Sequence, residues 1–165
     1  MADPWRTTLG SGAPFGARGA RGTHVAATAP GRRDGDHGGA TAAAGRRVLL
    51  VEDNPDARQS LAEVLALHGH EVHQARGGLE AISMARALRP EVVLCDIGLP
   101  DLDGYAVARA LRGDEALGAT LLVALSGHAR PEDVRRAREA GFHAHLAKPP
   151  VLEELERLIS SAPMA

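Results

Sequence analysis

Val92-Val93-Leu94-Cys95-Asp96 is the stretch whose reading decides the fold: four consecutive apolar residues run straight into a carboxylate, and Ile97-Gly98-Leu99-Pro100 follow. An apolar run without polar alternation belongs to a strand covered on both faces of its sheet. Two other runs have the same character. Val48-Leu49-Leu50-Val51 enters Glu52-Asp53-Asn54, and Leu121-Leu122-Val123-Ala124-Leu125 enters Ser126-Gly127. Glu71–Gln74 and, more weakly, Phe142–Leu146 add two further β-rich segments. Between them the spacing is helical. Leu61, Val64, Leu65 and His68 share one face, Ile82, Ala85 and Leu88 another, and Val107 with Leu111, Val134 with Ala137, and Leu152, Leu155, Leu158 and Ile159 continue the series. Gly69, Gly113 and Gly141 stand where helices stop, and Pro131 where one starts. Strands alternating with helices build right-handed βαβ units on a parallel sheet. The expected fold class is therefore α/β, a doubly wound (βα)5 domain over residues 46–162.

Residues 1–45 differ from the rest. They hold ten of the 19 glycines, many alanines and several arginines, with few large apolar side chains and no sustained period. Such composition cannot bury enough apolar surface to offset the entropy of ordering, so a disordered tail is expected there. The net charge of −2 and the four aromatic residues, Trp5, Phe15, Tyr105 and Phe142, argue against a nucleic-acid surface. The single cysteine, Cys95, excludes an internal disulfide, and no apolar stretch reaches the length of a membrane span. A cytoplasmic protein is expected. His68, His70 and His73 span a helix end and a strand, which is poor spacing for a metal site, and read as surface residues.

In a doubly wound sheet, ligands bind beyond the carboxyl ends of the strands. Glu52, Asp53, Asp96, Ser126 and Lys148 all stand at expected strand ends. Clustered carboxylates repel one another unless a cation joins them, and oxygen ligands suit Mg²⁺. Lys148 stands out on other grounds. Of the 19 basic residues it alone is lysine, so this position selects a compact ammonium over a planar guanidinium.

Taken together, Val51-Glu52-Asp53-Asn54, the segment Asp96 to Tyr105, Ser126-Gly127 and Lys148-Pro149-Pro150 resemble the receiver domains of two-component response regulators, particularly those of hybrid histidine kinases. The resemblance implies a flavodoxin-like strand order, 2-1-3-4-5. It makes Asp96 the phosphoacceptor, with Lys148 and Ser126 completing the catalytic set. Asp53, Glu52, Asp96 and the backbone carbonyl of Gly98 would hold Mg²⁺. Ser126 and His145 would form the conformational switch, His145 standing where many members carry Phe or Tyr. Pro149 matches the family's cis-proline. Asp101 and Asp103 are expected to shape the loop after the third strand.

The function implied is that of a single-domain response regulator, a signalling phosphoacceptor in a phosphorelay. Its partners would be a histidine kinase or histidine phosphotransfer protein and a downstream protein on the helix 4–strand 5–helix 5 face, with no nucleic acid or membrane. It would be a monomer or a phosphorylation-dependent dimer. With three residues after the last expected helix, no C-terminal DNA-binding domain is expected. Two alternatives are weaker: a phosphohydrolase working through an aspartyl-phosphate would need a second Asp where Gly98 stands, and a docking pseudo-receiver would have lost an acidic residue or the lysine.

Overall fold

The computed structural model describes residues 45–128 and 130–163; the tail expected over 1–45 lies, apart from Gly45, outside the described residues. Five strands, β1 (Arg47–Val51), β2 (Glu71–Ala75), β3 (Val92–Asp96), β4 (Leu121–Ser126) and β5 (Ala144–Ala147), alternate with five helices. These are α1 (Pro55–Leu67), α2 (Gly78–Leu88), α3 (Gly104–Arg112), α4 (Pro131–Ala140) and α5 (Leu152–Ser160), with a short 3-10 helix at Glu115–Leu117. All strands pair in parallel, in the order β2-β1-β3-β4-β5. The expected fold class and strand order are both observed.

Side chains on a strand point alternately to the two sheet faces, and the central strands use both. Leu49, Val51, Val93, Cys95, Leu122 and Ala124 pack with α2, α3 and α4, through Ala81, Ala85, Val107, Leu111 and Ala137 among others. Val48, Leu50, Val92, Leu94, Val123 and Leu125 pack with α1 and α5, through Ala62, Leu65, Leu155 and Ile159. Each fully buried Leu, Ile or Val contributes roughly 1.5–3 kcal/mol, which is why these runs admit no polar residue until the strand ends.

The caps place the loops that carry the site. Asn54 accepts hydrogen bonds from the Asp56 and Ala57 amides, both at 3.0 Å, and Pro55 opens α1. Asp103 caps α3 through the Ala106 amide at 2.7 Å. Asp101, in the β3–α3 loop, reaches across to the Gly78 and Leu79 amides at 2.8 and 3.0 Å. It thereby caps α2, whose own N-cap, Gly77, has no side chain to offer. These two aspartates thus shape the loop as expected. Gly104 lets α3 start against the end of β3: a Cβ there would stand 2.4 Å from the Asp96 carbonyl oxygen and 2.8 Å from the Ile97 Cα.

One local expectation changes, and two helix ends add detail to the sequence reading. β5 begins at Ala144, not Phe142, whose amide instead bonds the Ala137 carbonyl and whose ring is buried against the α2–α4 layer. Helix α2 ends on Arg89 in the left-handed region (φ 48°) just before Pro90, with no glycine to mark it. Gly113 ends α3 at φ −73°, without the left-handed turn that Gly141 makes after α4 at φ 103°.

Candidate functional site

The sheet register brings the strand ends level: Val51 pairs with Ala75 and Cys95, Asp96 with Leu125, and Ser126 with Ala147. Asp96 is the last residue of β3 and is nearly buried. Its Oδ1 accepts the Gly98 amide at 2.9 Å. Glu52, directly after β1, extends the strand pairing by donating its amide to the Ala75 carbonyl at 3.1 Å, and its carboxylate is buried. Glu52 Oε1 accepts the Asn54 amide at 3.2 Å. Asp53 is exposed, and among the described residues no hydrogen bond holds its carboxylate. Carboxylate oxygens of Glu52, Asp53 and Asp96 nonetheless lie within 4.8 Å of one another.

Lys148 follows β5 and is held by its amide on the Ser126 carbonyl at 2.8 Å, with a cis bond to Pro149 as expected. Its Nζ pairs with Glu52 Oε2 and lies 3.0 Å from Asp96 Oδ2. Burial alone would lower the pKa of this ammonium. The hydrogen bonds and negative charges of Glu52 and Asp96 outweigh burial and hold it above the ordinary lysine value. Both Asp96 oxygens are therefore engaged, one by a backbone amide and one by the ammonium.

Ser126, the last residue of β4, donates its hydroxyl to the His128 carbonyl and lies 2.9 Å from His145 Nε2. Because the serine proton is committed to that carbonyl, its oxygen accepts from Nε2–H. His145 is buried in β5, and among the described residues its Nδ1 has no hydrogen-bond partner. Burial pushes its pKa down against the charge of Asp133, which favours the neutral ring. A cavity of about 210 Å³ opens over these groups, lined by Asp96, Gly98, Tyr105, Ser126, His128 and Asp133. The Arg136 guanidinium lies over the Tyr105 ring, 4.7 Å from its centroid.

The sequence-predicted residues therefore fall into two contiguous groups. Glu52, Asp53, Asp96 and Lys148 form a charged pocket, and Ser126 with His145 forms a hydrogen-bonded pair beside it. Gly98 meets the pocket through its amide. One participant escaped sequence reading altogether. Arg58, on α1, donates through Nη1 to the Glu52 carbonyl at 2.7 Å and to the Asp53 carbonyl at 3.3 Å. In a chain with 18 arginines, no local signal separates this one from the others.

The model of the response regulator receiver domain matches residues 48–160, well over half of the chain. The chain belongs to this family. It is 34% identical over 104 residues to the polar-differentiation response regulator DivK of Brucella anthropi, an alignment spanning 63% of this chain and 85% of DivK. It is 38% identical over 109 residues to a gliding motility regulatory protein of Myxococcus xanthus, covering 66% of this chain but only 14% of that much longer protein. Among solved structures, the receiver domain of a sensor histidine kinase from Pseudomonas aeruginosa PAO1, which has a magnesium ion coordinated in its active-site cleft, superposes with a TM-score of 0.67 at 34% identity. That match covers 72% of this chain and 98% of the other. Among the described residues, no helix of this receiver domain is long and apolar enough to cross a membrane.

Proposed function

We propose that this receiver domain takes a phosphoryl group onto Asp96 from a phosphohistidine of a histidine kinase or histidine phosphotransfer protein, in a Mg²⁺-dependent step, and signals the change to a protein partner. The observation that carries the reading is Lys148. The only lysine of the chain is delivered to 3.0 Å from Asp96 while paired with Glu52. An ordinary surface lysine has no reason to be shared between two buried carboxylates.

The residues present fit Mg²⁺. Three carboxylates converge, all donors are oxygen, and one of the three, that of Asp53, faces water and accepts no hydrogen bond among the described residues. Glu52, Asp53, Asp96 and the Gly98 carbonyl would hold the ion. Once bound, it would screen the clustered negative charge and the phosphoryl oxygens. The protein groups do the rest. An Asp96 carboxylate oxygen forms the new bond to phosphorus as the donor's N–P bond breaks, and the departing imidazole leaves with its electron pair. Lys148 neutralises a phosphoryl oxygen in place of the Asp96 charge it now faces. Ser126 turns its hydroxyl from the His128 carbonyl toward the phosphoryl group. That rotation removes the acceptor from His145 Nε2–H, so the ring in β5 must repack and the α4–β5–α5 face with it. An apolar groove of about 460 Å³, lined in part by Ala57, Leu61, Val64, Pro150 and Leu152, opens beside Glu52 and Lys148 and suits the flank of the donor protein.

Incubation with acetyl phosphate and MgCl₂, read by intact mass, tests this directly. One phosphoryl adduct per chain is expected, absent with EDTA and absent in Asp96→Asn. An adduct of equal yield in that variant would overturn the assignment.

A further inference from the structure

The three carboxylates of the pocket are not held alike. Asp96 and Glu52 are buried and tied by backbone amides and by Lys148. Asp53 has neither burial nor, among the described residues, any hydrogen bond on its side chain. Its approach to the other two therefore depends on where its backbone is fixed. The β1 ladder ends one residue earlier, at the Glu52 amide, so ordinary sheet pairing does not fix it.

What fixes it is Arg58. The Arg58 amide bonds the Asn54 carbonyl at 3.0 Å, which seats the residue in the first turns of α1. From there Nη1 returns to the Glu52 and Asp53 carbonyls at 2.7 and 3.3 Å. One guanidinium nitrogen thus bridges two successive peptide units of the loop. Among the described residues Arg58 forms no salt bridge, so carbonyl oxygens rather than carboxylates set its place. We propose that Arg58 is a positioning residue for Mg²⁺: by clamping the backbone of Glu52-Asp53 it holds the Asp53 carboxylate where a divalent cation can use it. This rests on the Mg²⁺ reading above and deepens it.

The physics gives the test a sign. As a charge, Arg58 repels a cation, so its removal should tighten Mg²⁺ binding. As a clamp, it lowers the entropy cost of gathering the ligands, so its removal should weaken binding. Water and salt screen the repulsion at this exposed loop, whereas loss of a partner that orients a metal ligand costs 10- to 100-fold in affinity. The clamp should win.

Calorimetric titration of MgCl₂ into the full chain decides it, using wild type, Arg58→Met, Arg58→Lys and Asp53→Asn. The expected result is a dissociation constant raised on the order of tenfold in Arg58→Met. Arg58→Lys, which keeps the charge but loses the fork, should lie between that variant and wild type. Acetyl-phosphate labelling of Arg58→Met should return to the wild-type level at saturating MgCl₂, which a merely misfolded site would not do. Equal or tighter binding in Arg58→Met overturns the clamp, and so does wild-type affinity in Asp53→Asn, because the clamp acts through that carboxylate. Absence of any saturable Mg²⁺ binding in wild type would instead overturn the metal reading itself, and the clamp with it.

Discussion

The two ends of the β-sheet use the same kinds of residue to opposite effect. At the amino end, most buried charge is answered, although Arg47 Nε has no hydrogen-bond partner among the described residues. Arg46 pairs with Glu91 at 2.7 Å and also reaches the Ala162 carbonyl at 2.9 Å, while Glu91 accepts the Arg47 amide at 2.9 Å. His70, expected from sequence to be a surface residue, is buried there. Its Nδ1 accepts the Arg46 amide at 3.1 Å and its Nε2 donates to Glu156 at 3.0 Å, with His68 3.3 Å from the same carboxylate. At the carboxyl end, pairing is incomplete. Among the described residues the Asp53 carboxylate accepts no hydrogen bond and His145 Nδ1 has no partner, while one ammonium is shared between two carboxylates. Polar groups that close the fold are largely paired with one another, whereas the pocket keeps carboxylate oxygens open to a ligand, at some cost in stability.

The strongest way to break this comparison is at Glu91. Glu91→Ala leaves the Arg46 guanidinium and the Arg47 amide short of their acceptor, and should cost about 2 kcal/mol of unfolding free energy. Denaturant unfolding would measure it, with Mg²⁺ binding unchanged. Asp53→Asn at the other end should do the reverse, abolishing Mg²⁺ binding while stabilising the metal-free domain by a few tenths of a kcal/mol through relieved repulsion. Loss of stability in Asp53→Asn would erase the distinction between the ends.

The smallest effect concerns pH. Burial lowers the pKa of His145 and, with the nearby Arg112 charge, that of His143. The unfolded chain therefore takes up protons on these rings at a higher pH than the native state does. Stability should be full above the ordinary histidine pKa, near 6.5, and should fall as pH drops below it toward the depressed native values. Melting temperatures between pH 7.5 and pH 5.5, at roughly constant ionic strength, would check the direction. His145→Phe should flatten part of that slope, and a slope that steepens in this variant would refute the assignment.

Much of the fold and the pocket could be read from the chain because β1, β3 and β4 are uninterrupted apolar runs that each end in a polar residue. Parallel strands in register carry those ends to one edge, so Glu52, Asp53, Asp96, Ser126 and Lys148 needed no further information to be grouped. What escaped depends on contacts across long sequence separations. Asp101 caps a helix 23 residues earlier in the chain, and the buried ring of His70 meets α5 through Glu156, 86 residues away. Arg58 acts on its own loop, but through the backbone, and backbone acceptors leave no trace in residue spacing. Phe142 looked like a strand residue because aromatics favour strands, yet its packing against the α2–α4 layer prevailed over that preference.

The shared ammonium also makes the pocket chemically addressable. Apart from a terminal amine, Lys148 is the sole aliphatic amine of the chain, and it lies partly exposed at 27%. Any reagent or modifying enzyme that acylates lysine has one internal target, and that target is the counter-ion of Glu52 and Asp96. Acylation there would remove the positive charge from between two carboxylates, so a single covalent event at one nitrogen would silence the pocket without touching an acidic residue.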